Sequence, residues 1–391
     1  MNKPNLNRRR FLQLGVAATA GIAASTTTVA SPAPAGAHDQ SKTIYRTLGK
    51  TGINVPIVSM GVMRADNPNI LNAAYKLGIT FFDTAHGYQD GRNEEMVGNF
   101  FKDKPRDSFI VATKIHPPKE ATSEKFKEML EISLKRLQMD YVDILYVHAI
   151  DDLDYLHNEE IMQLMKTAKE EGKTKHIGFS THRNMAQLID AAAEKGFYEV
   201  ILTTYNFRLA NDEAMTNALK KAYDAGIGLV GMKNMAGRWL DEAKTKAVDC
   251  KAALKWALSG PYIHTCIPGI VSYEMLIDNW SVAADVSMTP ADNQALELAM
   301  AETGMFCTGC STCDGQCKRN LPVADLMRSY MYNYAYAYPA KAWQTVVDAG
   351  VADDPCADCD ECTVNCKAGF HVRPKITNIA RIQTIPREFL V

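Results

Sequence analysis

The chain has 391 residues and a formal net charge of −2, with 47% hydrophobic and 23% charged residues. That length suits one large domain with a smaller one beside it, and the composition is that of a chain with a real core, not a disordered or collagenous one. The near balance of 43 Lys and Arg against 45 Asp and Glu leaves no basic footprint for nucleic acid.

The first stretch reads as an address. NRRRFLQL holds Arg8-Arg9, one spacer and Phe11-Leu12, and resembles a twin-arginine translocation signal. A charge-free run, LGVAATAGIAASTTTVA, follows, and Ala35-Gly36-Ala37 offers a small-x-small cleavage site. Residues 1–37 are expected to be a signal peptide and 38–43 a linker. The run is too weakly apolar for a permanent span, and no other segment could cross a bilayer. The expected destination is the periplasm or another exported location, reached through the twin-arginine export machinery. That route, as the resemblance implies, carries folded proteins with their cofactors installed.

From residue 44 to 288 short apolar runs alternate with helical patterns. VPIVSMG (55–61), TFFDTA (80–85), FIVATKI (109–115), VDILYVHA (142–149), TKHIGFS (174–180), VILTTYN (200–206), GLVGMKN (228–234) and HTCIPGI (264–270) read as buried strands. Between them, segments such as SEKFKEMLEISLKRLQ and NDEAMTNALKKAYDAG carry apolar residues at helical spacing. Eight such units in series predict an α/β fold, a (β/α)8 TIM barrel. A doubly wound dinucleotide fold is the rival, since Gly226-Ile-Gly228-Leu-Val-Gly231 matches G-x-G-x-x-G. That match follows a helix and opens a strand, the reverse of the order phosphate binding requires. The lone Cys250 and Cys266 read as small core hydrophobes.

Residues 289–391 are expected to form a small helical domain. LPVADLMRSYMYNYAYAYPAKAWQTVVDAG holds Tyr330, Tyr332, Tyr334, Tyr336 and Tyr338 in alternation, which alone suggests a strand. Its Ala and Met content, Pro322 before it and Gly350 after it favour two helices broken at Pro339, with the tyrosines as packing. Flanking it are CTGCSTCDGQC (Cys307, Cys310, Cys313, Cys317) and CADCDECTVNC (Cys356, Cys359, Cys362, Cys366), both spaced C-x2-C-x2-C-x3-C. Four crowded thiolates suit 4Fe–4S clusters. Zinc prefers two ligand pairs set well apart, and disulfides cannot close within such short repeats without strain. In the two-cluster ferredoxin pattern the fourth cysteine serves the other cluster. Cys307, Cys310, Cys313 and Cys366 would then hold one, and Cys356, Cys359, Cys362 and Cys317 the other. Lys318 and Lys367 replace the usual Pro after each run.

The expected strand ends of the barrel carry Asp83, Tyr88, Lys114 and His148, and reacting groups of such barrels sit at those ends. YRTLGKTGINVPIVSMG, FFDTAHGYQDGRNEEMVG, VATKI and ILYVHAID together resemble the aldo/keto reductases. The long helical insert between the cysteine runs resembles the helical ferredoxin-type domain of a ferredoxin-linked branch of that family. The resemblance implies a catalytic tetrad of Asp83, Tyr88, Lys114 and His148 acting on a small carbonyl or alcohol substrate. Tyr88 would protonate the alkoxide left by hydride transfer, Lys114 would lower the tyrosine's pKa, Asp83 would hold the lysine, and His148 would orient the substrate oxygen.

The resemblance further implies NAD(P), with Ser180, Thr181, Met232, Lys233 and Asn279 at the cofactor-binding positions. Ser180, Thr181 and Leu202 stand where a Ser, Asn and Gln usually clamp the carboxamide, and Met232 replaces the stacking aromatic. The Lys and Arg that grip the 2′-phosphate of NADP fall on Gly269 and Met275, which removes the charge-assisted bonds favouring that phosphate. Lys233 and Arg238 remain candidates for a pyrophosphate. The expected protein is an exported carbonyl reductase or alcohol dehydrogenase that passes electrons through two clusters to a redox partner protein docking near Lys318 and Lys367. The alternative is an electron-transfer subunit whose barrel is a non-catalytic docking platform.

Overall fold

A hairpin of β1 (Tyr45–Thr47) and β2 (Asn54–Pro56) opens the folded chain, paired antiparallel from Tyr45↔Pro56 to Thr47↔Asn54. The computed structural model describes residues 42–120, 122–303, 305–369 and 371–390, which form one compact unit. Arg8, Arg9, the Ala35–Ala37 cleavage site and most of the linker lie outside the described residues. The hairpin plugs the end of the barrel where the strands begin, burying Leu48 and Val55 against Phe81, Ile144 and Val200. Its turn needs glycine at position 49. There φ is +55°, and a Cβ would lie 2.4 Å from the Gly226 carbonyl oxygen.

Eight parallel strands follow: β3 (Met60–Gly61), β4 (Phe81–Asp83), β5 (Ile110–Ile115), β6 (Val142–Val147), β7 (Thr174–Thr181), β8 (Val200–Thr204), β9 (Gly228–Met232) and β10 (Thr265–Cys266). They pair in sequence order, and the parallel bridges Val58↔Cys266 and Gly61↔Gly269 close the ring. Most of these strands are short apolar runs because both of their faces are covered, although Lys175, the second residue of β7, is exposed. The stretch read as one strand over 55–61 divides between the hairpin and β3. The last strand stops at Cys266, two residues before Pro268, which has no N–H to give a ladder.

Around the strands lie α1 (Pro68–Leu77), α2 (Arg92–Phe101), α3 (Ser123–Leu137), α4 (Leu153–Leu156), α5 (Glu159–Glu170), α6 (Met185–Lys195), α7 (Glu213–Asp224), α8 (Cys250–Ser259) and α9 (Tyr273–Trp280). Each major helix turns an apolar stripe inward. In α7 the buried residues are Met215, Ala218, Leu219 and Ala222, and Asp212 caps the first turn by accepting from Met215 N. The G-x-G-x-x-G match falls after α7 and runs into β9, so no phosphate loop forms there. Cys266 is fully buried, and Cys250 begins α8 partly covered.

The helix α10 (Pro290–Ala301) lies beyond the boundary read at residue 288, yet Leu296 and Ala299 pack on Ala252 and Ala253 of α8. After it come α11 (Val323–Tyr334), α12 (Pro339–Asp348) and α13 (Val372–Ala380), with one cysteine run before α11 and the other before α13. Their own core joins Phe306, Leu326, Met327, Val346, Ile376 and Ile379. The alternating tyrosines resolve by helical geometry, in which residues four apart share a face. Tyr330 and Tyr334 meet tilted at 38° with ring centroids 4.4 Å apart, and Tyr332 lies 6.2 Å from Tyr336.

This helical layer sits over the barrel end where the strands finish. Arg328 of α11 pairs with Asp151 after β6 at 3.0 Å, and Arg183 after β7 pairs with Asp314 at 2.7 Å. Gln89 N donates to the Tyr338 hydroxyl at 3.0 Å. Two glycines permit the closest approaches: a Cβ on Gly237 would strike the Phe306 ring at 2.1 Å, and one on Gly309 the His182 carbonyl oxygen at 2.0 Å.

Candidate functional site

The strand order fixes where the four expected catalytic residues meet. Asp83 ends β4, Lys114 is the fifth residue of β5 and His148 directly follows β6, on neighbouring strands of the ring. Tyr88 comes from the loop after β4, whose next residues Gln89 and Asp90 take left-handed φ of 51° and 55°. The structure brings all four to the wall of one cavity of about 760 Å³ at the barrel mouth.

Lys114 is 1% exposed and spends its three ammonium protons locally. Nζ donates to Asp83 Oδ1 at 2.5 Å, to the Thr84 carbonyl at 2.5 Å and to the Tyr88 hydroxyl at 3.5 Å. Burial pushes the Asp83 carboxyl up and the Lys114 ammonium down, while their mutual contact opposes both shifts. Burial also raises the Tyr88 hydroxyl well above 10, and the Asp83 charge with Tyr332, Tyr336 and Tyr338 raises it further. The lowering expected from Lys114 does not prevail, because burial is the largest cause and the Asp83 charge adds to it. Burial, with the Lys114 ammonium adding to it, holds the His148 imidazole well below 6.5. Its ring meets that of Tyr88 edge-on at 5.8 Å. Two neutral donors, a phenol and an imidazole, therefore face the same space.

The expected cofactor positions divide. Met232 and Lys233 line the cavity. The Ser180 hydroxyl instead accepts from Ala149 N at 2.9 Å, and the Thr181 hydroxyl donates to the Arg183 carbonyl at 2.8 Å. Asn279 is 4% exposed within α9, outside the cavity lining. Arg238 reaches Met275 Sδ at 3.6 Å, so a guanidinium does meet the wall formed by Gly269 and Met275. Lys233 has a left-handed φ of 57°, and burial brings its ammonium down to about 7, with Arg328 lowering it and Cys307 opposing.

Sequence reasoning missed the roof. Arg328, Tyr332, Tyr336, Tyr338 and Lys341 of the helical layer line the same cavity as Lys114 and His148. The i, i+4 spacing of Tyr332 and Tyr336 was the available signal, but it does not say which surface the face meets. His182 was missed too: it lines the cavity, and its Nδ1 is buried without a partner.

None of the ten cysteines is disulfide-bonded. Cys307 lies among Cys310 and Cys366, and burial with those neighbours pushes its thiol up against the opposing Gly309 N–H, which donates to the sulfur at 3.3 Å. Burial pushes the Cys313 thiol up to about 12, with Cys307, Asp314 and Cys310 adding to it. Cys317, Cys356, Cys359 and Cys362 share the wall of a separate cavity. Each fourth cysteine thus approaches the opposite run. Among the described residues no three of His, Cys, Asp and Glu converge as the ligands of a single ion do.

The profile of the aldo/keto reductase family matches residues 54–252, ending before the first cysteine run. The chain is 28% identical to L-galactose dehydrogenase of Arabidopsis thaliana over 298 residues, 66% of this chain and 93% of that protein. It is 30% identical over 220 residues to the uncharacterized oxidoreductase YrpG of Bacillus subtilis, covering 49% of this chain and 67% of that one. An aldo-keto reductase of Bacillus halodurans, solved in its holo form, superposes with a TM-score of 0.55 over 66% of this chain and 96% of its own, at 22% identity. With a parallel eight-stranded barrel and this family match, the chain is an oxidoreductase belonging to the aldo/keto reductase family.

Proposed function

We propose that this chain interconverts a small carbonyl compound and its alcohol, with Tyr88 as the proton donor and acceptor, and that two 4Fe–4S clusters link it to a redox partner protein. The observation that carries the first half is the buried Asp83–Lys114 pair in reach of Tyr88, with neutral His148 beside it. A substrate oxygen between Tyr88 and His148 receives two hydrogen bonds, which strengthen as negative charge develops on it. Tyr88 then delivers its proton, and the phenolate left behind is stabilised by Lys114. Because burial keeps Tyr88 protonated, the resting site is poised for reduction of a carbonyl.

NAD(P), when bound, supplies the hydride. Met232, Lys233 and Arg238 would hold it, since they line the cavity while the Ser180 and Thr181 hydroxyls are engaged elsewhere. The sulfur sets Cys307/Cys310/Cys313/Cys366 and Cys317/Cys356/Cys359/Cys362 suit cubane clusters, whose sulfurs stand at separate corners instead of converging on one atom. Support comes from the sulfur-lined cavity and from the N–H bond at Cys307. Such clusters store one electron each. The pattern around Arg8 and Arg9 supports delivery of the folded protein to the periplasm.

The engaged Ser180 and Thr181 hydroxyls, with Leu202 packed in the barrel core, favour a second reading: a barrel that only docks a partner while the clusters carry electrons. Turnover separates the two. With L-galactose, other aldoses and small aldehydes as a panel, Tyr88→Phe should cut turnover roughly 100-fold or more, the scale of a general acid, with iron content unchanged. Full turnover in a folded Tyr88→Phe protein refutes the proton role.

A further inference from the structure

The two sulfur sets are not equivalent with respect to the barrel-mouth cavity. Cys307, Thr308 and Gly309 share a small cavity with His182, Lys233 and Arg328. Those last three side chains also line the cavity that holds Asp83, Tyr88, Lys114 and His148. One layer of side chains therefore separates the Cys307 sulfur from the reacting groups. That layer is rigidly seated, since Gly309 rests on the His182 carbonyl, and Arg328 is held by Asp151. It is also electrostatically uncommitted on one side. Among the described residues the Lys233 side chain makes no hydrogen bond or ion pair, and Lys233 and Cys307 line the same small cavity, so the lysine's charge acts directly on that sulfur. The second set differs. The cavity of Cys317, Cys356, Cys359 and Cys362 is walled by residues of the helical layer alone, among them Lys318, Leu321, Glu361 and Arg373. Cys362 and Glu361 are exposed, and no residue of this wall reaches the barrel-mouth cavity.

We propose that Cys307/Cys310/Cys313/Cys366 is the cavity-side redox centre and Cys317/Cys356/Cys359/Cys362 the partner-side centre, with Lys233 as the positioning residue that couples the cavity-side centre to whatever fills the cavity. The inference rests on the cluster reading above. A 4Fe–4S centre becomes one charge more negative on reduction, so a buried cation beside it favours the reduced state. The second set shares no cavity with Lys233, so that charge acts on it more weakly. An anionic group entering the cavity, such as a dinucleotide pyrophosphate, would compete with the reduced cluster for the same ammonium.

The test is a potentiometric titration of the anaerobic holoprotein followed by electron paramagnetic resonance. Cys366→Ser should alter the signal of one centre and Cys362→Ser that of the other, which labels them. Lys233→Met should then move the Cys366-labelled step to lower potential, leave the Cys362-labelled step where it was and leave iron content unchanged. Lys233→Arg should restore the potential by restoring the charge. Overturning results are a step that does not move, equal movement of both steps, or movement of the Cys362-labelled step alone. A wild-type protein without iron and sulfide overturns the cluster reading itself, which an unmoved potential in a fully loaded protein does not.

Discussion

Replacing Gly309 with alanine probes how the cysteine-bearing layer is keyed to the barrel. Gly309 has φ +79°, and an added Cβ would stand 2.0 Å from the His182 carbonyl oxygen, where ordinary contact begins at 3.4 Å. The two backbones would have to part by more than 1 Å, beyond what a close-packed contact yields. The left-handed backbone costs an alanine about 1–2 kcal/mol, and overpacking adds about 1–3 kcal/mol. Gly315 supplies the control, since its φ is +74° but nothing lies within 4 Å of its Cβ position. Gly315→Ala should therefore show only the backbone cost. Denaturant unfolding of the two variants, with limited proteolysis of residues 302–306 as a probe of undocking, separates the two terms. The expected result is an extra loss of about 1–3 kcal/mol and faster cleavage in Gly309→Ala. Equal stability and equal cleavage of the two variants would refute the contact between Gly309 and His182.

Two further outcomes follow from the chemistry and from the Arg8-Arg9 pattern. NADH or NADPH should leave the clusters of flavin-free protein oxidised by electron paramagnetic resonance while dithionite reduces at least one, because nicotinamide releases its electrons as a pair; a fast cluster signal from either nucleotide would make a flavin-bearing or quinone-linked partner unnecessary. Arg8→Lys with Arg9→Lys should leave folded, cluster-loaded protein in the cytoplasm, and undiminished secretion measured by cell fractionation would reject the twin-arginine assignment.

The barrel was legible because buried parallel strands must be short apolar runs; seven of the eight runs contain their strand, and β7 extends one residue past its run to Thr181. The meeting of Asp83, Tyr88, Lys114 and His148 was legible for a related reason: strand-end residues of a barrel face one mouth. What those groups do to one another was less so. The Tyr88 shift is set first by burial and then by Asp83, with Tyr332, Tyr336 and Tyr338, some 250 residues away in sequence, adding to it. No local pattern tells a helix face which distant surface it will cover. The same limit applies to Ser180 and Thr181. Their strand-end register could be read, but their bonds to Ala149 N and the Arg183 carbonyl depend on loop conformation. The cysteine spacing announced two four-sulfur sets, but which set shares a cavity wall with His182 and Lys233 depends on how the helical layer packs on the barrel, which no local pattern states.

Iron and acid-labile sulfide, counted in protein purified and held without oxygen, bear most directly on whether an aldo/keto reductase barrel here carries two redox centres over its mouth. About eight iron and eight sulfide per chain are expected if both sets hold cubes. Stoichiometric zinc with no sulfide would contradict it.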